Sequence, residues 1–318
     1  MISDSSDALS PGYSPMVKAQ FPKVSVCMIS YNHGRYIGQA IESILQQDIA
    51  FPIELVIGDD CSTDDTAQIC EKYASRDSRI RILSRERNLG VMPNFSRTLL
   101  ACRGEYVAVC EGDDYWTDPL KLTKQVAFLD ANPDYAGAAH QSDVLVNECF
   151  SRKFKTNVPL TLMVDDLIGG RMFHTASIIF RRPAVDLFCR APLVLSCDRL
   201  LNLVVANLGK IRYSDESMCA YRIHNGGMSS NVTAAQLKLD LNSVIFLKLL
   251  QPKFPKYRYK SYIYATIGLC QLATPVQRFC YLLLSFVFSF SNFPYNLKQY
   301  GFHFLCAIRR RYSHLQSK

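Results

Sequence analysis

A doubly wound α/β fold is predicted by three observations on the 318-residue chain. Apolar runs of strand length alternate with stretches of helical spacing between residues 24 and 114. The apolar runs pass into polar loops rich in Asp, Asn, Ser and Gly. With 48% hydrophobic and 20% charged residues, the chain can bury a large core. Strand, helix, strand, helix in succession implies parallel strands joined by right-handed crossovers, so the strand-end loops fall on one edge of the sheet.

Each element has its own justification. Val24, Val26 and Met28, with Ser25, Cys27 and Ile29 between them, make a strand buried on both faces, and Ser30, Tyr31, Asn32, His33 and Gly34 end it. Ile37, Ala40, Ile41, Ile44 and Leu45 share a helical stripe that stops before Pro52. Residues 53–57 form the second strand and run into Gly58, Asp59 and Asp60. Ser62, Thr63, Asp64 and Asp65 have capping-box spacing, so Ser62 is expected to open the helix carrying Ala67, Cys70, Tyr73 and Ala74. Residues 79–83 form a third strand. Pro93 suits the first turn of the next helix, which points Phe95, Thr98, Leu99 and Cys102 inward. A fourth strand from Tyr106 to Cys110 then delivers Glu111, Gly112, Asp113 and Asp114 to solvent.

Adjacent carboxylates repel unless a cation or a proton offsets them, so Asp113 and Asp114 are candidate ligands for a divalent metal; a solvated acidic turn is the plain alternative. Neither G-x-G-x-x-G nor G-x-x-x-x-G-K follows the first strand, which removes a Rossmann dinucleotide site and a P-loop. Tyr31 offers an aromatic face to a base, and Asp60 a carboxylate to a base or ribose. Taken singly, Tyr31 could pack on its own helix and Asp60 could serve as a turn or cap. Together with the acids they describe a nucleotide-diphosphate site along one sheet edge.

The formal charge of +8 is scattered over much of the chain, so no nucleic-acid groove is indicated. Twelve cysteines without a C-x-x-C pair suit small buried side chains in a reducing cytoplasm and give neither a disulfide framework nor a zinc site. Residues 1–22 read as a flexible leader without the character of a signal peptide. Residues 23–232 are expected to form the catalytic domain and residues 233–318 a helical C-terminal region.

After Pro133, residues 135–146 read as strand, and residues 173–180, containing His174, enter another. Cys197, Asp198 and Arg199 precede a helix with Leu201, Val204, Val205 and Leu208, stopped by Gly209. At 220–229, alternation sets Arg222 and His224 on one face; Arg suits a diphosphate, and neutral imidazole is a common metal ligand. Further on, helical spacing recurs through Leu237, Leu241, Val244, Ile245 and Leu249, and again over residues 257–272. The apolar run 279–290 is shorter than the roughly 20 residues of a spanning helix. It fits either a buried helix or a monotopic membrane contact, the latter helped by the aromatic stretch 300–304 and by Arg309, Arg310 and Arg311.

From residue 24 to about 134 the chain resembles glycosyltransferase family 2, the inverting, nucleotide-sugar-dependent group with the GT-A fold. The resemblance rests on Val24 to Asn32, on Glu54 to Asp64, on Asn88, Leu89 and Gly90, and on Gly104, Glu105 and Tyr106 leading into Glu111 to Asp114. It implies a mixed sheet flanked by helices, with Ser30, Tyr31, Asn32, Asp60, Asn88, Gly90 and Asp113 binding the donor. It further implies that Asp114 coordinates Mn²⁺ or Mg²⁺, that His224 reaches the metal or diphosphate, and that Arg222 lies in the same segment. Asp198, just before a helix, is the implied general base, with a plain helix cap as its alternative; His174 is expected to shape the acceptor pocket. The implied partners are a nucleotide-sugar donor, a glycan or lipid-linked saccharide acceptor, and an anionic membrane surface on the cytoplasmic side. A nucleotidyltransferase and a nucleotide-sugar-binding module without turnover are the competing readings.

Overall fold

In the computed structural model, which describes residues 21–84, 86–224, 226–227, 232–270 and 272–289, the alternation becomes a ten-stranded mixed sheet with helices on both faces. In chain order the strands are β1 (Val24–Ser30), β2 (Ile53–Asp59), β3 (Ile80–Ile82), β4 (Tyr106–Val109), β5 (Tyr115–Trp116), β6 (Tyr135–Val146), β7 (Cys149–Lys153), β8 (Thr161–Leu162), β9 (Ile179–Arg181) and β10 (Lys210–Ile223). The helices are α1 (Ile37–Leu45), α2 (Thr66–Ala74), α3 (Val91–Ala101), α4 (Lys121–Ala131), α5 (Val164–Leu167), α6 (Pro183–Phe188), α7 (Cys197–Leu208), α8 (Ala234–Leu237), α9 (Asn242–Leu250), α10 (Lys256–Gly268) and α11 (Pro275–Ser289). The strand order is β3-β2-β1-β4-β9-β6-β10-β5, with β7 added to β6 and β8 to β10. β1 to β4 are mutually parallel, whereas β9 runs antiparallel to both β4 and β6.

Period-two alternation distributes the apolar side chains between two cores. Val24, Val26 and Met28 join Leu55, Ile57 and Ala108 against α1, α2 and α4, through Ile41, Cys70 and Leu122. Cys27, Val56, Val107 and Val109 face the other way, toward Phe95 and Leu99 of α3, Phe188 of α6 and Val204 of α7. Leu237, Val244, Leu247 and Ile263 of α8 to α10 belong to this second core, so these C-terminal helices are continuous with it, packing on α7, which itself lies on β6 and β10.

Ser62 does not open α2. The helix begins behind Asp65, and Asp64 does the capping: its carboxylate accepts the Thr66 N–H at 3.0 Å and the Gly34 N–H at 2.9 Å. Ser62 turns back instead, accepting the Asn32 N–H at 2.9 Å and donating to Asp59. Asp64 thus satisfies two main-chain donors, as a capping box does, and in the same step fastens the neighbouring loop.

The apolar run that starts at Phe279 lies in α11, the last described helix. No helix among the described residues is long and apolar enough to cross a membrane. The expected leader up to residue 20 and the segments 300–304 and 309–311 lie outside the described residues.

Candidate active site

β1, β2 and β4 end on one edge of the sheet, and main-chain bonds lace their loops together. The Asp60 N–H donates to Ser30 O at 2.9 Å and the Gly112 N–H to Ile29 O at 3.0 Å. The Asp60 carboxylate, only 5% exposed, accepts the N–H groups of Leu89 at 2.8 Å and Gly90 at 2.9 Å, while Asn88 Nδ2 donates to Asp60 O at 2.8 Å. Asn32 holds the Thr63 N–H through Oδ1 at 2.8 Å, and Tyr31 stands exposed at the rim. Ser30, Tyr31, Asn32, Asp60, Asn88 and Gly90 thus occupy one laced set of loops.

Glu111 to Asp114 form the turn beside them. Gly112 is required there: a Cβ at this position would stand 2.6 Å from Ile37 Cδ1, 2.9 Å from Ser30 Oγ and 3.0 Å from His33 Nδ1. Ser30 Oγ, His33 Nδ1 and Glu111 Oε2 are all buried without a hydrogen-bond partner among the described residues. Such orphaned polar atoms are rare in a folded protein and call for a bound group.

Two donor sets flank the turn. On the cleft side, Asp113 Oδ2 lies 3.1 Å from His224 Nε2 and 3.7 Å from His33 Nε2, with 18% of its side chain exposed. Behind it, Glu111, Asp114 and His174 each offer one ligand atom within 4.8 Å of the others. Asp114 is 2% exposed, accepts the Arg222 N–H at 2.8 Å, and has His174 Nδ1 at 3.5 Å.

Electrostatics separates these acids. Burial and then the Asp113 charge push Glu111 up to about 8, and the same causes raise Asp114 well above the carboxylate range. Asp113 is held below that range despite its burial, because His224 and His33 face it. Burial lowers His174 to about 3, so it is neutral, and its Nδ1 accepts the Ala176 N–H at 3.3 Å. Three carboxylates on one turn, two of them disfavoured as anions, together with neutral imidazoles and an orphaned Glu111 oxygen, fit a hard divalent cation.

His224 meets Asp113, and Asp114 meets His174. The geometry redraws one expectation. Arg222 does not present its guanidinium to the cleft. Its Nε donates to Glu148 at 3.0 Å, Nη1 to Asp113 O at 2.8 Å and Nη2 to Gln39, and the head stacks 4.4 Å over the Tyr115 ring. With the residue 4% exposed, Arg222 fastens β10 to the acidic turn.

Asp198 sits in the first turn of α7, behind the N-cap residue Ser196. Burial would raise it, but the guanidinium groups of Arg171 and Arg199 outweigh burial and keep it below the usual range. Arg171 Nη1 is 3.3 Å from its Oδ2 and the same guanidinium lies 5.5 Å over Phe154. Phe154 meets His174 edge-on at 5.6 Å, and His174 stacks on Tyr221 at 4.0 Å. This chain of contacts links Asp198 to Asp114. His33, Phe154, Arg171 and Tyr221 were not singled out from sequence. Only His33 carried a signal, its place beside Asn32.

A cavity of about 540 Å³ opens at the opposite edge, near the strand starts, between Lys23, Phe51, Arg103 and Arg182, and contains none of the site residues.

The profile described as "Glycosyl transferase family 2" matches residues 25–187, just over half of the chain. An uncharacterized protein of Mycobacterium tuberculosis is 39% identical over 211 residues, covering 64% of this chain and 60% of that protein. The match thus spans about 60% of that relative's length. A putative teichuronic acid biosynthesis glycosyltransferase of Bacillus subtilis is 29% identical over 68% of this chain and 85% of its own. Among solved structures, S. aureus TarS 1–349 in complex with UDP-GlcNAc superposes with TM-score 0.57 at 19% identity, covering 83% of this chain and 89% of that one. A mannosyltransferase of Pyrobaculum calidifontis, in complex with GDP-Man and Mn²⁺, gives 0.51 at 17% identity over 85% and 74%. The structural likenesses establish the GT-A fold, and the profile match, running from β1 through the acidic turn into α6, establishes that the chain belongs to glycosyltransferase family 2.

Proposed function

We propose that the protein transfers a sugar, with inversion, from a nucleoside-diphosphate donor, a UDP-sugar first among them, to a hydroxyl of a glycan or lipid-linked saccharide, in the building of a cell-surface polysaccharide on the cytoplasmic side of the membrane. The observation that supports the reading is a relay of contacts: the end of β1 bonds both the Asp60 loop and the acidic turn, and Asp114 is linked through His174, Phe154 and Arg171 to Asp198.

Each chain residue has a task in this reading. Tyr31 stacks near the base, and Asp60, with Ser30, Asn32, Asn88 and Gly90, shapes the nucleoside pocket. Asp113 and His224 on one side of the turn, and Glu111, Asp114 and His174 on the other, are the donors that would hold Mn²⁺ or Mg²⁺, which would supply positive charge to the departing diphosphate. Arg222 holds the turn in place. The acceptor hydroxyl oxygen bonds to the anomeric carbon as the carbon–oxygen bond to phosphate breaks, and Asp198 takes the hydroxyl proton. Arg171 positions Asp198, and His174, stacked on Tyr221, lines the acceptor side.

The titration of choice is donor turnover: release of nucleoside diphosphate from a panel of sugar nucleotides, with and without Mn²⁺. Release of pyrophosphate would support a nucleotidyltransferase, and binding without release a module that does not turn over.

A further inference from the structure

Helix α11 is packed inside out. Its buried residues are Ser285 and Ser289, whereas Val276, Phe279, Leu283 and Val287 are 73%, 70%, 51% and 55% exposed. Those four lie three or four residues apart and so share one helical face. The seam toward α10 joins small and polar residues to stacked aromatic rings, Tyr264 lying 5.5 Å from Phe288 and 6.1 Å from Tyr281. Ser285 Oγ donates to Ser261 O at 2.8 Å, and Ser261 Oγ returns a bond to Ser285 O at 3.0 Å. At Gly268 the helices approach so closely that a Cβ would stand 3.0 Å from Leu282 Cγ and 3.2 Å from Leu282 N. A surface helix in water buries its apolar stripe and exposes its polar one. Here serines, a glycine and stacked rings make the contact while the stripe through Val276, Phe279, Leu283 and Val287 faces outward, and small residues at a close helix contact with an apolar outer face suit lipid.

Charge supplies a second, independent observation. Residues 241–318 hold eleven Lys and Arg and not one Asp or Glu, so the preceding 240 residues, with the other 25 basic and all 28 acidic side chains, carry a net −3 against the chain's +8. Within the hairpin, Lys256 Nζ lies 4.9 Å over the Tyr257 ring and Lys260 Nζ 5.6 Å over that of Phe288, ammonium heads beside aromatic rims as at a bilayer interface.

We infer that the α10–α11 hairpin docks the protein on an anionic lipid bilayer, with α11 lying in the headgroup layer rather than crossing it. A second copy of the chain is a poorer occupant, because a two-fold contact would oppose two acid-free basic surfaces. Residues 290–318 offer the face no countercharge either, having five basic and no acidic side chains. At 15 residues α11 is too short to span, but it suits a monotopic contact in which nearby Lys and Arg side chains are attracted to an anionic surface. This inference goes beyond the transfer reading and does not depend on it.

The test is co-sedimentation of the full chain with vesicles of phosphatidylglycerol and phosphatidylcholine, against vesicles of phosphatidylcholine alone. The anionic vesicles should carry the protein down, and added salt should release it. The double variant Phe279→Gln, Leu283→Gln changes only exposed side chains; it should melt like the parent and bind these vesicles roughly tenfold or more weakly. No binding to anionic vesicles, or binding untouched by the double variant, overturns the inference. A solution dimer that the double variant disrupts, without lipid binding, assigns the face to a second copy and also overturns it. Turnover with a water-soluble acceptor, measured on the same variant, stays at the parent's level if transfer and docking are separate, so failure of one leaves the other standing.

Discussion

Nε2 of His224 lies 3.1 Å from Oδ2 of Asp113, although 111 residues separate the two in the chain. The contact brings the exit of β10 back to the end of β4. It gives the acidic turn an imidazole on its cleft side, where a diphosphate and its cation would meet it.

The division of labour between the adjacent acids is directly testable. Asp113→Asn should abolish cation-dependent donor binding, because it removes the charged ligand on the cleft side. Asp114→Asn keeps an oxygen to accept the Arg222 N–H and should retain most of that binding. Calorimetric titration of UDP with and without Mn²⁺ compares them; the reverse ranking would move the cation to the set formed by Glu111, Asp114 and His174.

Cation affinity should rise with pH. Glu111, pushed up to about 8 by burial and by Asp113, holds a proton below that pH and must lose it to bind metal. Mn²⁺ affinity of the donor-free protein should therefore climb toward pH 8 and level off above it. In Glu111→Gln the climb should largely disappear, and an unaltered profile would show that Glu111 does not compete with the cation.

For Asp198→Asn, donor affinity should stay near the parent's while turnover falls by about 10²–10⁴, the usual cost of a lost general base. Wild-type turnover would leave Asp198 as a plain residue of the first turn of α7. Arg171→Gln separates positioning from chemistry. Losing the cation 3.3 Å from Asp198 should move the acidic limb of the pH–rate profile upward, a shift that a merely structural role would not produce.

Stability should carry a signature of Lys121. Its ammonium is buried 4.1 Å over the Trp116 ring, donates to Gln125 at 2.8 Å, and is lowered by burial to about 8 from 10.5. Between those values the unfolded chain binds a proton that the folded protein does not, so stability rises with pH across that window. Relative to Lys121→Met, the parent should gain about 2–3 kcal/mol between pH about 7 and about 10 in urea unfolding. A constant difference would mean that the lysine titrates normally.

Much of the frame could be read from the chain because its signals are local. The continuous apolar runs of β1, β2 and β4 and the acids that follow one of them need no partner to be recognised. The site's finer arrangement is not local. Asp113 meets His224, and Asp114 and Glu111 meet His174, across long stretches of sequence, and Arg222 owes its framework role to Glu148 and Gln39, distant in sequence. Phe154 and Arg171 lie in a stretch with little periodicity and gain meaning only from Asp198 and His174. Ser62 had the right spacing for a cap but lost the role to Asp64, which could bond two loops at once. In α11 a strongly apolar run was visible, whereas the side it buries was decided by Ser261 and Gly268 of another helix.

Whether the Asp60 loop, the acidic turn and Asp198 serve one sugar-nucleotide site is decided by nucleoside diphosphate release from UDP-sugars, with Mn²⁺, by the parent, Asp113→Asn and Asp198→Asn. Mn²⁺-dependent release by the parent, loss of donor binding in the first variant, and retained binding without turnover in the second are expected. Release that neither substitution affects would rule the shared site out.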